Sequence, residues 1–409
     1  MNCRFCNEPL KQQFVDLGSS PPSNSYLTYG QLNEPEVYFP LKLYVCTKCF
    51  LVQIDEHKKA DEIFDKDYAY FSSYSTSWLA HSKRYTEEMI KRFGFNNQSL
   101  VVEIASNDGY LLQYFKDGNV PVLGIEPTES TATVARKKGI ETIIEFFGIS
   151  LAKKLVRENR KADLLLGNNV LAHVPDINDF VGGLKIALKE HGVITMEFPH
   201  LLQLILNNQF DTIYHEHFSY LSFTTVVKIF AAHGLEMFDV QEISTHGGSL
   251  RIFARHKEDK SKPVQTSVKV LLEKEIGAGI TDFLFYKGFQ DKVDRVKIDF
   301  VRFLIDRKIE KKKVIAYGAA AKGNTLLNYC GVRNDMIDFV VDVSPYKQGK
   351  FLPGSHIPVV KEDEIKKQKP DYVIIIPWNI REEIMNQLSY VKEWEAQFVV
   401  AVPSLQVIK

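Results

Sequence analysis

The feature that most constrains the fold is a repeated order of apolar strand, glycine-containing turn and helix. Residues 99–117, SLVVEIASNDGYLLQYFKD, have this order, and a second strand, PVLGIEP, follows at 121–127. Further apolar runs at 162–176 and 191–199 continue the alternation. Strands that alternate with helices at this spacing are typical of a parallel, doubly wound sheet. We therefore predict an α/β fold with a Rossmann-like domain.

A second strand, glycine turn and helix occupies residues 311–329, KKKVIAYGAAAKGNTLLNY, and strand-like runs follow it. The chain before it has a helical pattern. A length of 409 residues is also enough for two or three domains. We predict four segments, namely a zinc-binding module at 1–65, a Rossmann-like domain at 66–260, a helical connector at 261–310 and a smaller Rossmann-like α/β domain at 311–409.

Four of the five cysteines form two Cys-x-x-Cys pairs near the N-terminus. Cys3 and Cys6 are separated from Cys46 and Cys49 by a long insertion that contains GSSPPSNSYL. In a reducing compartment such pairs bind metal more often than they form disulfides. Four thiolates complete tetrahedral zinc and leave no position for water, so we predict a structural zinc site. The fifth, Cys330, is predicted to be a buried apolar residue.

Composition argues against several classes of protein. The chain has 51 basic and 51 acidic residues, and a formal charge of zero disfavours a nucleic-acid-binding protein. No run approaches the ~20 apolar residues that a membrane span needs. The first residues, MNCRFCNEPL, contain no apolar signal core. We expect a cytoplasmic monomer that binds neither nucleic acid nor membrane.

The first glycine turn predicts a small-molecule site, because ligands of an open α/β sheet bind beyond the carboxyl ends of its strands. Glu103, Asn107, Asp108 and Gly109 occupy that position. The loop is not GxGxxG, so it gives little support for a bound pyrophosphate. Glu126 ends the next strand, where a carboxylate can accept both hydroxyls of a ribose. These residues suit S-adenosylmethionine, although an ordinary turn with a surface acid has the same pattern.

Two further strand ends supply candidate ligands of the same cofactor. Pro127 directly follows the acid of the second strand. The run GNNVLAHVPD adds Asn168 and Asn169 after the third strand, together with His173. By itself, His173 is more simply a hydrogen-bonded loop histidine.

The run YHEHF at 214–218 allows three interpretations. On a strand, His215 and His217 would share a face and could bind a metal with a third ligand from elsewhere. On a helix they would lie about 200° apart and could not share an ion. The rings could also fill a hydrogen-bonded core. The third interpretation is acid–base chemistry, because neutral imidazole is available at pH 7.

The second glycine turn predicts a phosphate site. The backbone N–H groups of Gly318, Ala319 and Ala320 precede a helix, and Lys322 can add a positive charge. The turn is not GxxxxGK[ST], so it is not a P-loop. An ordinary turn with surface lysines is the alternative. Further candidate ligands on this domain are Tyr317, Asn324, Asp342 and Lys347.

Several motifs occur together in an order that one family shows. These are the cysteine pairs, DYAYFSSYS, EIASNDGYLL, LAHVPD, DTIYHEHFSYLS, HGGSLR and YGAAAKGNTLLNY. With them the chain resembles the nucleotide-sugar C-methyltransferases, in particular the ketosugar C-3 methyltransferases that build branched deoxysugars. The resemblance covers essentially the whole chain, and the combination is more specific than any single motif.

This resemblance implies an S-adenosylmethionine-dependent enzyme that methylates a ring carbon, C-3, of a nucleotide-linked 4-ketosugar. It also implies that the C-terminal domain holds the nucleotide diphosphate. Three alternatives stay open at this point. The enzyme could methylate another carbon or an oxygen of a nucleotide sugar, or the chain could bind a sugar nucleotide without catalysis. A zinc-ribbon nucleic-acid methyltransferase is disfavoured by the zero net charge.

The resemblance also implies roles for the residues of the histidine-rich run. It makes His217 the base that removes the ring proton, Glu216 its acidic neighbour and Tyr214 an active-site tyrosine. His173 is the second choice for the base. His215 lies outside the family pattern.

Two further motifs contribute substrate ligands by the same resemblance. In DYAYFSSYS we favour Tyr68 over Tyr70 as a hydrogen-bond donor to the ketone or enolate. Tyr70 and Ser72 are candidate substrate ligands, although an aromatic loop of this kind can also be a lid or the edge of a core. In HGGSLR, Arg251 is a candidate contact to the diphosphate.

Overall fold

The computed structural model describes residues 1–59, 62 and 71–409. The N-terminal part contains three strands: β1 (Gln12–Ser20), β2 (Phe39–Val45) and β3 (Val52–Ile54). They pair in sequence order and antiparallel. The long insertion predicted between the cysteine pairs is therefore β1, a loop and β2.

The central part of the chain alternates between helices and strands. Its helices are α1 (Thr76–Phe93), α2 (Leu112–Asp117), α3 (Glu129–Lys137), α4 (Ile149–Arg157), α5 (Ile177–Ala187), α6 (Leu201–Leu206) and α7 (Phe223–Ala232). Its strands are β4 (Val101–Ile104), β5 (Val122–Ile125), β6 (Thr142–Ile143), β7 (Ala162–Asn168), β8 (Leu188–Pro199), β9 (Ser219–Tyr220), β10 (Leu235–Ile243) and β11 (Ser249–His256).

Seven of these strands form one sheet in the order β10-β11-β8-β7-β4-β5-β6. The five strands from β8 to β6 are parallel, which confirms the predicted doubly wound sheet. Every residue of β4 is buried, as expected for a strand covered by helices on both faces. At one edge, β11 and β10 add an antiparallel pair that the sequence pattern did not indicate.

The C-terminal part begins with helices and ends in a second α/β unit. Its helices are α8 (Thr266–Ala278), α9 (Phe283–Tyr286), α10 (Phe289–Ile309), α11 (Ala321–Cys330), α12 (Asp363–Gln368) and α13 (Arg381–Gln387). Its strands are β12 (Val314–Tyr317), β13 (Val340–Val341), β14 (Val359–Val360), β15 (Tyr372–Ile375), β16 (Gln397–Val400) and β17 (Gln406–Ile408). They form a sheet in the order β14-β13-β12-β15-β16-β17, parallel except for β17.

The N-terminal sheet gains its fourth strand from the central part of the chain. The two-residue strand β9 pairs antiparallel with β3, joining Val52 to Tyr220 and Gln53 to Ser219. Because β9 directly follows the histidine-rich run, this pairing holds residues 214–217 against the N-terminal sheet.

The loop between β1 and β2 contacts the C-terminal domain. The backbone of Leu27 exchanges two hydrogen bonds with Phe351, at 3.0 and 2.8 Å. The Glu36 carboxylate accepts the N–H of Gly354, and the side chain of Asn324 donates to the Ser23 carbonyl at 2.6 Å. The insertion thus connects the N-terminal sheet to the C-terminal unit.

Apolar packing continues this connection in the core. Phe14 of β1 stacks on Phe289 of α10 with 4.7 Å between ring centroids. Both belong to one buried cluster that extends to Ile374 of β15. In the part of the chain that the structure describes, no helix has the length and apolar character needed to cross a bilayer.

Candidate active site

A cavity of about 520 Å³ lies where the three parts of the chain meet, a volume typical of small-molecule sites. Its lining includes Asn24 of the N-terminal loop, Glu126 and His217 of the central part, and Lys322 and Lys347 of the C-terminal domain. Parallel strands end at the same edge of a sheet, so the turns after β4, β5 and β7 open into this cavity together.

Glu126 is the carboxylate at the end of β5. Its two oxygens accept the backbone N–H groups of Asn107, at 2.8 Å, and of Thr128, at 3.0 Å. Only 5% of the residue is exposed, and burial raises the pKa of its carboxyl. The two amide hydrogen bonds fix the orientation of the carboxylate, which lines the cavity where a ligand can reach it.

Asn168 lines the same cavity from the end of β7, which is separated from β5 by β4. Both polar atoms of its side-chain amide are buried and make no hydrogen bond to any described residue. A buried amide normally has hydrogen-bond partners, so this side chain suits a polar ligand. Apolar side chains of Ile125 and Phe147 also line the cavity. An acid, an unsatisfied amide and apolar walls together fit the ribose and purine of S-adenosylmethionine.

The histidine-rich run forms a tight turn, in which the N–H of His217 donates to the Tyr214 carbonyl at 3.0 Å. Nδ1 of His217 lies 3.0 Å from the Thr212 carbonyl, which can only accept, so Nδ1 carries the ring proton. Nε2 is then unprotonated and accepts the hydroxyl of Tyr214 at 2.8 Å. Burial lowers the pKa of His217 well below its usual value, so the ring is a neutral base.

His173 packs edge-to-face against His217, with ring centroids 4.6 Å apart. It lines the cavity, and burial lowers its pKa to about 4. Its ring is hydrogen-bonded to the backbone carbonyl of Glu216. His173 is therefore a second neutral imidazole beside the first.

The Glu216 carboxyl lines the cavity and is 4% exposed. The side-chain amide of Asn24 donates to its two oxygens, at 2.7 and 2.9 Å. Burial raises the pKa of Glu216 to about 7, and the hydrogen bonds from Asn24 act in the opposite direction. The group can therefore exchange a proton near neutral pH.

The four cysteines converge at the N-terminus. Cys3 and Cys49 have their sulfurs 3.6 Å apart, Cys6 and Cys46 have theirs 3.5 Å apart, and all four lie within 4.8 Å of one another. Tetrahedral zinc with Zn–S bonds of about 2.3 Å requires sulfurs roughly 3.8 Å apart, so the cluster fits that ion. In the part of the chain described here, no other group of three or more His, Cys, Asp or Glu side chains converges in this way.

Comparison with known proteins decides the family. The C-methyltransferase NovU of Streptomyces niveus is 33% identical over 406 residues, which cover 99% of this chain and 96% of that protein. The chain belongs to this C-methyltransferase family. Family models agree along its length, with a zinc binding domain at 3–64, a methyltransferase domain at 78–240 and a C-methyltransferase C-terminal domain at 244–403.

Some solved structures also match part of this chain, at low identity and low TM-score. One is an S-adenosylmethionine-dependent methyltransferase from Anabaena variabilis, with 15% identity and a TM-score of 0.39 over 50% of this chain and 99% of that one. Another is magnesium protoporphyrin IX methyltransferase from Synechocystis with bound S-adenosylmethionine, with 14% identity and a TM-score of 0.33 over 43% and 78% of the two chains.

The matched methyltransferase and zinc binding domains, with the four-cysteine cluster, agree with the predicted use of S-adenosylmethionine and with the predicted zinc-binding N-terminal domain. Of the predicted cofactor ligands, those that line the cavity are Asn107, Glu126, Pro127, Asn168 and Asn169.

Three predicted cofactor ligands of the C-methyltransferase do not line the cavity. Glu103 is fully buried within β4, and burial raises its pKa well above the usual value. Asp108 is turned toward Lys138, 3.7 Å away. Gly109 has φ +74°, a left-handed backbone that favours glycine, and a Cβ there would lie 2.4 Å from the terminal methyl of Ile140.

The second glycine turn differs from its prediction as a phosphate cradle. The N–H of Gly318 donates to Val341 at 2.7 Å, and that of Ala320 donates to Gly318 at 2.9 Å. The N–H of Ala319 donates to the Asp342 carboxylate at 2.8 Å. The three predicted phosphate donors are thus already used within the chain.

Other predicted ligands on this domain have internal roles. Tyr317 packs among apolar residues of the second sheet, and its hydroxyl accepts from Gln387 at 2.8 Å. Asn324 binds the N-terminal loop, and Asp342 caps two backbone amides. Lys322 and Lys347, by contrast, line the cavity.

Arg251 does not reach the cavity. It is 4% exposed, and its guanidinium binds the Glu197 carboxylate at 2.6 Å and Glu88 at 3.1 Å. Arg251 lies opposite Glu197 in the β11–β8 register, so both charges are neutralised inside the sheet. The interpretation of Arg251 as a diphosphate contact is not supported.

Sequence reasoning also missed residues that line the cavity. Asn24 reaches Glu216 from 192 positions earlier in the chain. His246 has a left-handed backbone with φ 54° and contacts Asn169 at 3.1 Å. Ser72, a predicted substrate ligand, lines the cavity, whereas Tyr68 and Tyr70 lie outside the described residues.

Proposed function

We propose that this C-methyltransferase acts on a nucleotide-linked 4-keto-deoxysugar and methylates the ring carbon next to the ketone, C-3. The observation that carries the proposal is the neutral, oriented imidazole of His217 in the same cavity as the methyl-donor residues Glu126 and Asn168. Methylation of oxygen can use an existing lone pair, whereas methylation of carbon first requires removal of a C–H proton. An unprotonated base at this position suits the second reaction.

In the proposed reaction, Nε2 of His217 takes the ring proton. The C–H electron pair then forms the C-3 to C-4 double bond, and the carbonyl π pair moves to the ketone oxygen. When bound, S-adenosylmethionine would supply the methyl group to the enolate carbon, with its neutral thioether as the leaving group. The C–O double bond forms again, and His217 loses its proton to solvent.

The other residues of the turn support the base. The Tyr214 hydroxyl donates to Nε2 in the absence of substrate, so we propose that it moves or hands on its proton when the sugar binds. His173 packs against the ring and is the second candidate for the base. Glu216 is the proposed acid–base neighbour, with its pKa near 7. General acid–base catalysis of this kind typically contributes ~10²–10⁴-fold.

The C-terminal domain is the proposed holder of the nucleotide. Because the amides at 318–320 are used internally, Lys347 is the better candidate for the diphosphate. Its Nζ donates to the Ala319 carbonyl at 2.7 Å and lies 3.5 Å from the Asp342 carboxylate. We keep the division into a zinc module at 1–65, a methyl-donor domain at 66–260, a connector at 261–310 and a nucleotide-sugar domain at 311–409.

The experiment is incubation of the protein with S-adenosylmethionine and a panel of nucleotide-linked sugars, with and without a 4-keto group. Mass spectrometry should detect a product one methyl group heavier only for the 4-ketosugars. NMR of that product should place the methyl group on C-3. A methyl group on oxygen or on another carbon would support the alternative reaction, and binding without product would support a non-catalytic protein.

A further inference from the structure

Lys322 is held inside the cavity by uncharged groups. Its Nζ donates to the Asn379 side-chain oxygen at 2.7 Å and lies 4.5 Å from the centre of the Trp378 ring. The indole N–H of Trp378 in turn donates to the Asp211 carboxylate at 2.7 Å. The amide and the ring thus fix the position of the ammonium without neutralising its charge.

The charge of Lys322 is not paired directly. Among the described residues, no carboxylate forms an ion pair with its Nζ within 4.0 Å, although the charge of Asp211, which accepts the indole N–H of Trp378, acts on Lys322 from farther away. Lys347 differs, because Asp342 lies 3.5 Å from its Nζ. An ammonium has three N–H donors, and Lys322 uses one of them on Asn379, so it has donors left for a ligand.

This ammonium is also close to the proposed base. Lys322, Tyr214 and His217 line the same cavity. The charge of Lys322 contributes to the lowered pKa of His217, and burial lowers the pKa of Lys322 itself. A cation beside a neutral imidazole disfavours the imidazolium but favours an anion formed between them.

We propose that Lys322 is a catalytic residue, whose ammonium donates to the ketone oxygen and stabilises the negative charge that forms there when His217 removes the ring proton. This inference rests on the proposed function. The ammonium keeps all its protons in this step, since it only lowers the energy of the enolate. A fixed donor in a water-poor site is effective because it needs no reorganisation as the charge develops.

The competing interpretation is that Lys322 holds the nucleotide diphosphate, as its sequence position predicts. The two roles affect different measurements. An enolate-stabilising lysine affects the chemical step and proton exchange, whereas a diphosphate-binding lysine affects affinity for the nucleotide.

The test is Lys322→Met in the full-length protein, with three readouts. We expect kcat for methyl transfer to fall by ~10²–10³-fold, the loss seen when one such donor is removed. Exchange of the C-3 proton for deuterium in D₂O, measured without methyl donor, should fall in parallel. The affinity for a nucleoside diphosphate, measured by calorimetry, should stay unchanged. Lys322→Arg should retain more exchange than the methionine variant because it keeps a charged donor.

Lys297→Met is the matched control. Lys297 also lies over an aromatic ring, that of Tyr329 at 4.6 Å, but it does not line the cavity. This variant should leave all three readouts unchanged. If circular dichroism shows that Lys322→Met does not fold, Asn379→Ala takes its place, because it removes the acceptor that positions Nζ of Lys322. We expect this variant to lose less proton exchange than the loss expected for Lys322→Met.

The inference is overturned if Lys322→Met weakens nucleoside diphosphate binding while kcat at saturation and proton exchange stay at the wild-type values. It is also overturned if exchange is unaffected in every variant. Failure of the proposed function would be seen differently, since the wild-type protein would then neither exchange the proton nor methylate any 4-ketosugar.

Discussion

Two short segments of this chain are rich in residues that can ligate a metal, the cysteine pairs and the Tyr-His-Glu-His turn, and only the cysteines have the geometry of a metal site. The cysteine pairs converge until four sulfurs lie within 4.8 Å. In the Tyr-His-Glu-His turn the two histidines diverge. His217 lines the cavity, whereas His215 packs against Phe39 and His57 and its Nε2 lies 3.2 Å from the Pro40 carbonyl. The difference shows that convergence in space, rather than density along the sequence, makes a metal site.

The cause of this difference is local backbone geometry. The alternation that would put His215 and His217 on one face applies to a strand. The hydrogen bond from the His217 N–H to the Tyr214 carbonyl closes a turn instead, and the strand β9 begins only at Ser219. The turn therefore directs His215 into packing contacts and His217, the proposed base, into the cavity.

The largest expected effect comes from replacing the proposed base of the histidine-rich turn. His217→Ala should lower the rate of methyl transfer by at least ~10²-fold, because Nε2 is the atom that takes the ring proton in the proposed step. Steady-state kinetics with the preferred 4-ketosugar measures this loss, and calorimetry should find S-adenosylmethionine binding near normal. Retained turnover would move the base elsewhere, first to His173.

His215→Ala is the matched control for that variant. It removes a buried imidazole two residues away that does not line the cavity. Its kcat should stay close to wild type, while thermal stability should fall because the packing against Phe39 is lost. An equal loss of activity in both variants would mean that the turn acts as a structural unit.

The next effect concerns the metal. We expect the wild-type protein to contain about one zinc per chain, and Cys46→Ser should remove it. Because a structural metal stabilises the fold, the free energy of unfolding should fall by about 4 kcal/mol or more. Metal analysis and thermal unfolding measure the two effects. Zinc retained at full occupancy in this variant would contradict the assignment to the cysteines.

The smallest expected effect is on pH dependence. Burial raises the pKa of Glu216 from 4.5 to about 7, so the folded protein binds more protons than the unfolded chain between these values. Its contribution to the free energy of unfolding therefore decreases as pH rises from about 4.5 to about 7. Glu216→Gln should remove that part of the slope, measured by denaturant unfolding across this range.

Glu393→Gln, at an exposed position, should leave the slope unchanged. A slope that is the same in wild type and Glu216→Gln would show that Glu216 titrates with an ordinary pKa.

The sequence predicted the parts of this molecule that depend on local pattern. Apolar strands with glycine turns gave the two α/β units, and strand ends gave Glu126 and Asn168 on the cavity. The cysteine pairs gave the zinc cluster because four thiolates permit few other arrangements.

Other features depend on contacts between distant residues and could not be read from the pattern. The strand β9 has two residues, too few for a periodic signal. Asn24 lies in a loop and meets Glu216 only after the N-terminal sheet has paired with β9. Arg251 and Asp342 were both predicted to bind a ligand. Arg251 forms an ion pair with Glu197 on the adjacent strand, and Asp342 accepts the backbone N–H of Ala319.

The most direct test of the central claim is proton exchange by the wild-type protein. A nucleotide-linked 4-ketosugar is incubated with the enzyme in D₂O without methyl donor, and NMR follows the C-3 proton. The proposed mechanism predicts that the C-3 signal disappears with wild type and with His215→Ala, and persists with His217→Ala. Exchange that continues at the wild-type rate in His217→Ala would contradict the assignment of the base.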